Sequence, residues 1–338
     1  MRYSKSMKIA LATGIYPPEI GGHSFYVQSL ERALRQQGHD VRLVLYGRLK
    51  QYPTGIRHIL YAIKLWWQTR DSHGVIAFDT FSIAVPAGLV ARFSKRKIVS
   101  RAGGDFVWET YVERTHDFIP LPDFYVHRDR WNIKERISYR LIHAALSRVH
   151  IAFSSAWMRD IWLRAYSFDT DRTHVIENAV EPPVAGVPPA RKNFLFYTRD
   201  IALKNHAAFR QAFELAKSTC PDIELEEGAI SHDELMEKIR DGYAVLLPSI
   251  SEISPNYILE SLRFGKPFLL TKYSAYAEKY KDCGVIVDPL NIEDMARGVR
   301  ELADDTTYTA LRENISRMKD RHSYDEIARE YIALLNTL

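Results

Sequence analysis

The chain has 338 residues, 46% hydrophobic and 26% charged; the length predicts two domains, and the composition excludes a disordered or collagen-like chain. Two cysteines, Cys220 and Cys283, exclude a disulfide framework, and no zinc-ligand spacing surrounds them. The net charge of +4 is unevenly spread: residues 1–177 carry 26 Lys/Arg against 16 Asp/Glu, and the rest carry 20 against 26.

A basic first half and an acidic second half point either to two domains with different partners or to an uneven surface charge with none. Residues 1–7 are short and polar and lack the apolar core of a signal peptide. The longest apolar runs fall far short of a membrane span. With so few cysteines we expect a cytoplasmic protein, with peripheral attachment to the inner face of a membrane left open.

In chain order, residues 8–13 form an apolar run ending at Gly14, as in a parallel strand buried on both faces. A Pro-Pro-Glu-Ile-Gly-Gly loop follows, then a helix over 23–37 that Gly38 stops. Strands are expected at 41–45, 75–78, 97–100 and 150–153, with helices over 56–70, 81–93, 132–148 and 155–166. Residues 104–131 form a long stretch rich in aromatics. Between 181 and 189 five of nine residues are Pro or Gly, which marks a linker. The alternation then restarts, with strands at 194–197, 223–225, 244–247, 267–270 and 285–287. Helices are expected over 204–219, 231–240, 256–264, 291–304, 307–321 and 323–337. The fold class is therefore α/β, with two doubly wound, Rossmann-like domains and a cleft between them as the default ligand site.

Three segments carry chemistry. Residues 248–260, Pro-Ser-Ile-Ser-Glu-Ile-Ser-Pro-Asn-Tyr-Ile-Leu-Glu, follow a buried strand and open a helix near Ser254 or Pro255. A helix N-terminus favours bound phosphate. Glu252 on the loop can accept hydrogen bonds from sugar hydroxyls, and Glu260 on the helix can hold a ribose diol. Alternatively, the two glutamates only serve the helix dipole and the solvent. Residues 197–204 follow the first strand of the second half and place Arg199 and Lys204 at a sheet's carboxyl edge. There they can neutralise a diphosphate, or be plain surface cations. Gly21 and Gly22 either allow close backbone approach to a ligand or form a tight loop that binds none, and no G-x-G-x-x-G fingerprint is present.

Together these motifs resemble glycosyltransferase family 4, a retaining, nucleotide-sugar-dependent family with the GT-B fold. The likeness rests on Glu252 and Glu260 with seven residues between them, the Arg199-x4-Lys204 spacing and the Gly21-Gly22 loop. It also rests on residues 176–181, which resemble the interdomain segment, and on the Gly265-Lys266-Pro267 turn. The resemblance implies domains at 1–180 (acceptor-binding) and 193–320 (donor-binding), a linker at 181–192, and a C-terminal helix at 321–338 packing back on the first domain. Arg199 and Lys204 would bind the donor diphosphate, Glu252 the sugar and Glu260 the ribose. The backbone around Pro255, Asn256 and Tyr257 would cradle phosphate, and Gly21 and Gly22 would line the site. No metal and no cofactor are implied: the nucleotide sugar is a substrate, its base unassigned.

The chain departs from the family pattern in three places. Glu252 is followed by Ile-Ser-Pro rather than Gly-Phe-Gly or Gly-Phe-Pro. Residues 101–105 lack the family's histidine, with Asp105 as a candidate contact for a sugar hydroxyl or a simple turn cap. A strand and a helix are expected to be missing between 226–228 and Ser231. Acceptors would bind the basic half, where residues 57–70, 95–97 and 124–140 mix Arg, Lys, Trp and Tyr. A glycan or lipid-linked acceptor at an anionic membrane surface fits that mixture, as does an ordinary core helix with a solvated face. No nucleic-acid module is visible. A catalytically silent GT-B binding protein and a nucleotide-sugar epimerase on the same fold stay open as alternatives.

Overall fold

A computed structural model describes residues 6–17, 22–184, 189 and 191–338, the side chains of residues 22 and 23 excepted. Pro18 to Gly21 and much of the expected linker, residues 185–188 and 190, lie outside the described residues. The first half runs β1 (Lys8–Thr13), α1 (Gly22–Gln36), β2 (Asp40–Leu45), α2 (Thr54–Gln68), β3 (Gly74–Phe78), α3 (Ala84–Phe93), β4 (Ile98–Ala102), α4 (Phe106–Thr115), α5 (Leu121–Phe124), α6 (Ile133–Leu146), β5 (His150–Phe153), α7 (Ala156–Tyr166) and β6 (Thr173–Val175). The second half runs β7 (Lys192–Phe196), α8 (His206–Lys217), β8 (Ile223–Glu227), α9 (His232–Asp241), β9 (Ala244–Leu247), α10 (Asn256–Arg263), β10 (Phe268–Thr271), α11 (Ala275–Lys279), β11 (Gly284–Val287), α12 (Ile292–Ala303), α13 (Asp305–Arg317) and α14 (Tyr324–Thr337).

The strands form two sheets, of order β2-β1-β3-β4-β5-β6 and β11-β10-β9-β7-β8. Every strand pair is parallel. Strands such as β3 (GVIAF) and β9 (AVLL) are buried at every position. Continuous apolar runs of this kind need helices on both faces of a sheet. Capping boxes begin three of the helices: Asn132 with Glu135, Ser231 with Glu234, and Ser323 with Glu326. Each satisfies two backbone N–H groups at a helix start. The fold is a two-domain, Rossmann-like GT-B architecture.

The chain divides into two compact units. One comprises Met1–Val107, Arg130–Asn178 and His322–Leu338, the other Trp108–Asp129 and Ala179–Arg321. In the first unit α14 packs against α1. The segment Trp108–Asp129, expected within the first domain, groups with the second unit. Its aromatics pack locally: the Trp108 indole donates to the Ile119 carbonyl at 2.8 Å, and the Tyr111 and Phe124 rings lie 5.2 Å apart.

Other elements also differ from expectation. Residues 173–175 add a sixth strand, and a short helix at 275–279 appears. The helix expected over 204–219 is broken at Asn205, whose φ of 59° is left-handed. Asparagine tolerates that conformation because its short side chain can bond locally.

Glycine is required where α3 crosses α6. A Cβ on Gly88 would sit 2.5 Å from the Ala145 Cα and Cβ. Gly88→Ala should force the helices apart and cost about 1–3 kcal/mol, read as a lower urea midpoint for the first unit. An unchanged midpoint would mean that this contact does not constrain the packing.

Candidate donor site of the second unit

Strand order in the second sheet reverses between β7 and β9, since β8 lies on one side of β7 while β9, β10 and β11 lie on the other. In open parallel sheets, ligands bind outside the strands' carboxyl ends at such a reversal. The loops that leave β7 and β9 are the two that carry Arg199, Lys204 and Glu252.

After β7 the chain turns through Arg199, whose carbonyl accepts from the Ile201 N–H at 3.0 Å, into a 3-10 turn over Ala202–Lys204. His206 stacks on Phe196, with centroids 4.4 Å apart, and its Nε2 lies 2.9 Å from Thr198 Oγ1 and 3.2 Å from the Arg199 carbonyl. The Arg199 side chain is exposed. Asn205 is buried, and its amide donates to the Pro289 carbonyl at 2.8 Å and reaches the Pro248 carbonyl at 3.4 Å. One asparagine thus ties together the loops that leave β7, β9 and β11.

The loop after β9 returns toward β10. The Glu252 N–H donates to the Tyr273 carbonyl at 3.0 Å, and its own carbonyl accepts from Ala275 at 3.3 Å. Its carboxylate forms an ion pair with the Lys204 ammonium, both side chains largely shielded from solvent. Two residues 48 positions apart therefore meet at the sheet's switch point. A charge-assisted pair that is only partly hydrated holds its geometry more firmly than an exposed one.

Pro255 opens α10 and offers no side-chain cap. The first turn of any helix carries N–H groups without intrahelical partners. The Tyr257 ring is occupied structurally: its hydroxyl donates to the Leu195 carbonyl at 3.0 Å and accepts from the Tyr197 N–H at 3.3 Å, anchoring α10 to the end of β7. Glu260 lies one helical turn further on. Burial pushes its carboxyl up to about 7, partly offset by the nearby Arg263. The helix ends on Gly265, φ 65°, with Lys266 N–H bonded to the Ser261 carbonyl and Gly265 N–H to that of Leu262. This is the Schellman geometry that favours glycine.

The segment Trp108–Asp129 braces both loops. Glu113 on α4 accepts from the Ala202 N–H at 3.0 Å, and the Leu121 N–H donates to Ser251 Oγ at 3.0 Å. Both contacts span about 90 residues or more in sequence, so no local signal could have revealed them.

Asp105 and Gly22 belong to the first unit. Asp105 is fully buried, and its carboxylate accepts from the Trp162 indole at 2.7 Å. Gly22 begins α1, while Gly21 lies outside the described residues. Among the described residues no three metal-ligating side chains converge.

Residues 227–322 match the family model described as glycosyl transferases group 1. None of the curated protein sequences matches the chain. Among solved structures, the chain resembles WaaG, a glycosyltransferase involved in lipopolysaccharide biosynthesis. The TM-score is 0.72 at 14% identity, covering 97% of this chain and 99% of that one. It also resembles the sucrose-phosphate synthase of Thermosynechococcus elongatus, with TM-score 0.71, 14% identity and 98% of each chain covered. Anabaena HepE in complex with UDP-glucose gives 0.68 at 13% identity, over 98% of this chain and all of the other. At such identities the likeness is one of fold. The group 1 segment contains Glu252, Glu260 and all of α10, and together with the GT-B fold it indicates a glycosyltransferase.

The raised Glu260 carboxyl has a consequence for stability. An acid whose pKa is higher in the folded state than its ordinary 4.5 stabilises the fold fully below that value. The contribution is lost as pH rises through about 7. Urea midpoints of the wild type should therefore fall relative to Glu260→Gln across that window. Parallel profiles for the two proteins would refute the assignment.

Proposed function

We propose that the chain transfers a hexose-type sugar from a nucleotide-sugar donor to a glycan or lipid-linked glycan acceptor. Transfer proceeds with retention and without metal, as in glycosyltransferase family 4. The observation that carries this reading is the Lys204–Glu252 pair, set at the switch point of the second sheet beside the opening of α10. That UDP-glucose is bound by HepE, and UDP-2-fluoro glucose by a trehalose-6-phosphate protein of E. coli, supports a nucleotide-sugar donor here.

In this reading Arg199 and Lys204 take the donor diphosphate, and the Asn256 and Tyr257 amides at the start of α10 supply further donors. Glu260 holds the ribose diol. A diphosphate arriving at Lys204 competes with Glu252 for one ammonium. The displaced carboxylate is then available to the sugar hydroxyls, so donor binding and sugar orientation are linked. As the anomeric bond breaks, negative charge grows on the leaving diphosphate, and cations already in place stabilise it without reorganisation. Asp105 accepts from the Trp162 indole and so holds that ring within the first unit. The acceptor approaches from an anionic membrane surface.

Thermal-shift measurements with UDP, GDP, ADP and dTDP and their sugars, with and without EDTA, test the reading. One nucleotide should raise the melting temperature with or without chelator. Lys204→Ala should lower donor turnover by about 10²–10³-fold, the usual loss when one preorganised charge-stabilising donor is removed, while keeping the melting temperature of the free protein within a few degrees. Nucleotide binding with no turnover in any donor series would instead favour a silent binding protein, and a shift abolished by EDTA would contradict metal independence.

A further inference from the structure

Helix α2 buries Tyr61, Ala62 and Leu65 against the first unit. Its outward side should then be polar if it faced only water, and it is not. Ile59, Ile63, Trp66 and Trp67 are all exposed, Ile63 at 60% and Trp67 at 59%. Across the α2–α3 packing, α3 adds Leu89 and Phe93, the latter 72% exposed. Between the two helices runs an apolar groove of about 410 Å³, bounded by Ile59, Ile63, Trp66, Leu89 and Phe93. Exposed apolar surface this continuous marks an interaction site.

The charge around the groove identifies its occupant. Residues 54–70 and 84–97, which hold α2 and α3, contain seven Lys or Arg and no Asp or Glu, and Asp71, in the turn after α2, is paired with Arg42 and Lys8. Three of these cations frame the apolar face from its rim: Arg70 stacks on Trp67 at 4.4 Å, Arg96 on Trp66 at 5.7 Å and Arg92 on Phe93 at 5.8 Å. A second copy of the chain would present the same basic face, and two such faces repel across a twofold contact. An anionic bilayer complements both features. Tryptophans sit at the headgroup level, isoleucine and phenylalanine enter the acyl boundary, and arginines reach back to lipid phosphates. No helix among the described residues is long and apolar enough to cross a membrane, so the contact is with the surface.

We infer that the α2–α3 face of the first unit is a docking surface for an anionic lipid bilayer. The inference gives the membrane partner proposed above a definite location, and it rests on that reading of the acceptor side without depending on the donor chemistry.

Co-sedimentation of the full chain with vesicles tests it. Vesicles of phosphatidylcholine alone should be compared with vesicles containing roughly one third phosphatidylglycerol, at low and at physiological salt. The wild type should sediment with the anionic vesicles, less so as salt rises, and hardly with the neutral ones. Ile63→Glu should weaken that binding about tenfold or more, because it places an anion in the centre of the face. Leu290→Glu, at a half-exposed apolar site in the second unit, should sediment like the wild type. Nucleotide-induced thermal shifts on the same samples should be equal in all three proteins, which separates failure of docking from failure of the donor reading. The inference falls if the wild type ignores anionic vesicles at low salt, or if Ile63→Glu sediments unchanged. It also falls if the wild type self-associates in solution and Ile63→Glu does not, which would give the face to a second copy.

Discussion

All strands in each sheet run the same way, and the rest of the molecule answers to that constraint. A parallel strand needs a crossover before it can pair with the next, so every strand but β6, the last of its sheet, leads into a helix, and both faces of the sheet become covered. The carboxyl ends then share one edge, where only loops can lie. The second sheet reverses its order between β7 and β9. The two loops at that reversal diverge to opposite faces and leave a crevice that neither helix layer fills. Arg199, Lys204 and Glu252 stand on those loops because they immediately follow the two central strands.

A crevice alone does not hold charged side chains in place. Here three interactions from distant parts of the chain do so. Lys204 and Glu252 hold each other. Asn205, in its left-handed conformation, ties the β7 loop to carbonyls of the β9 and β11 loops. Glu113 and Leu121 fasten the same loops to the segment Trp108–Asp129. Together these contacts fix the loops that leave β7 and β9 relative to each other within the second unit.

The first unit has its own buried cation. Arg101, at the end of β4, donates to the Ile176 carbonyl at 2.9 Å and to Asn178, lies 3.9 Å from the Tyr26 ring centroid, and reaches the Tyr331 hydroxyl at 3.3 Å. Among the described residues no carboxylate hydrogen-bonds it. Its charge is met by carbonyl dipoles and aromatic faces, which join α1, β4 and α14. The same unit leaves α2 and α3 with an apolar outer face framed by cations. One unit thus gathers polar groups at a strand edge, while the other carries a greasy, basic side.

The sequence by itself determined the alternation of strands and helices, because apolar runs of four to six residues and amphipathic helical stretches are local patterns. It also located Arg199, Lys204, Glu252 and α10 at strand ends, since a motif that follows a strand keeps that position in any parallel sheet. It missed the sixth strand, Thr173–Val175, because three residues are too few to show a period. It read 204–219 as one helix because a left-handed asparagine leaves no trace in a hydrophobic pattern. The tertiary structure alone decided that Lys204 meets Glu252, that Trp108–Asp129 groups with the second unit, that Asp105 meets Trp162, and which side of α2 faces out. Each of those depends on residues far apart in the chain being brought within a few ångströms, and no spacing along a sequence encodes such a distance.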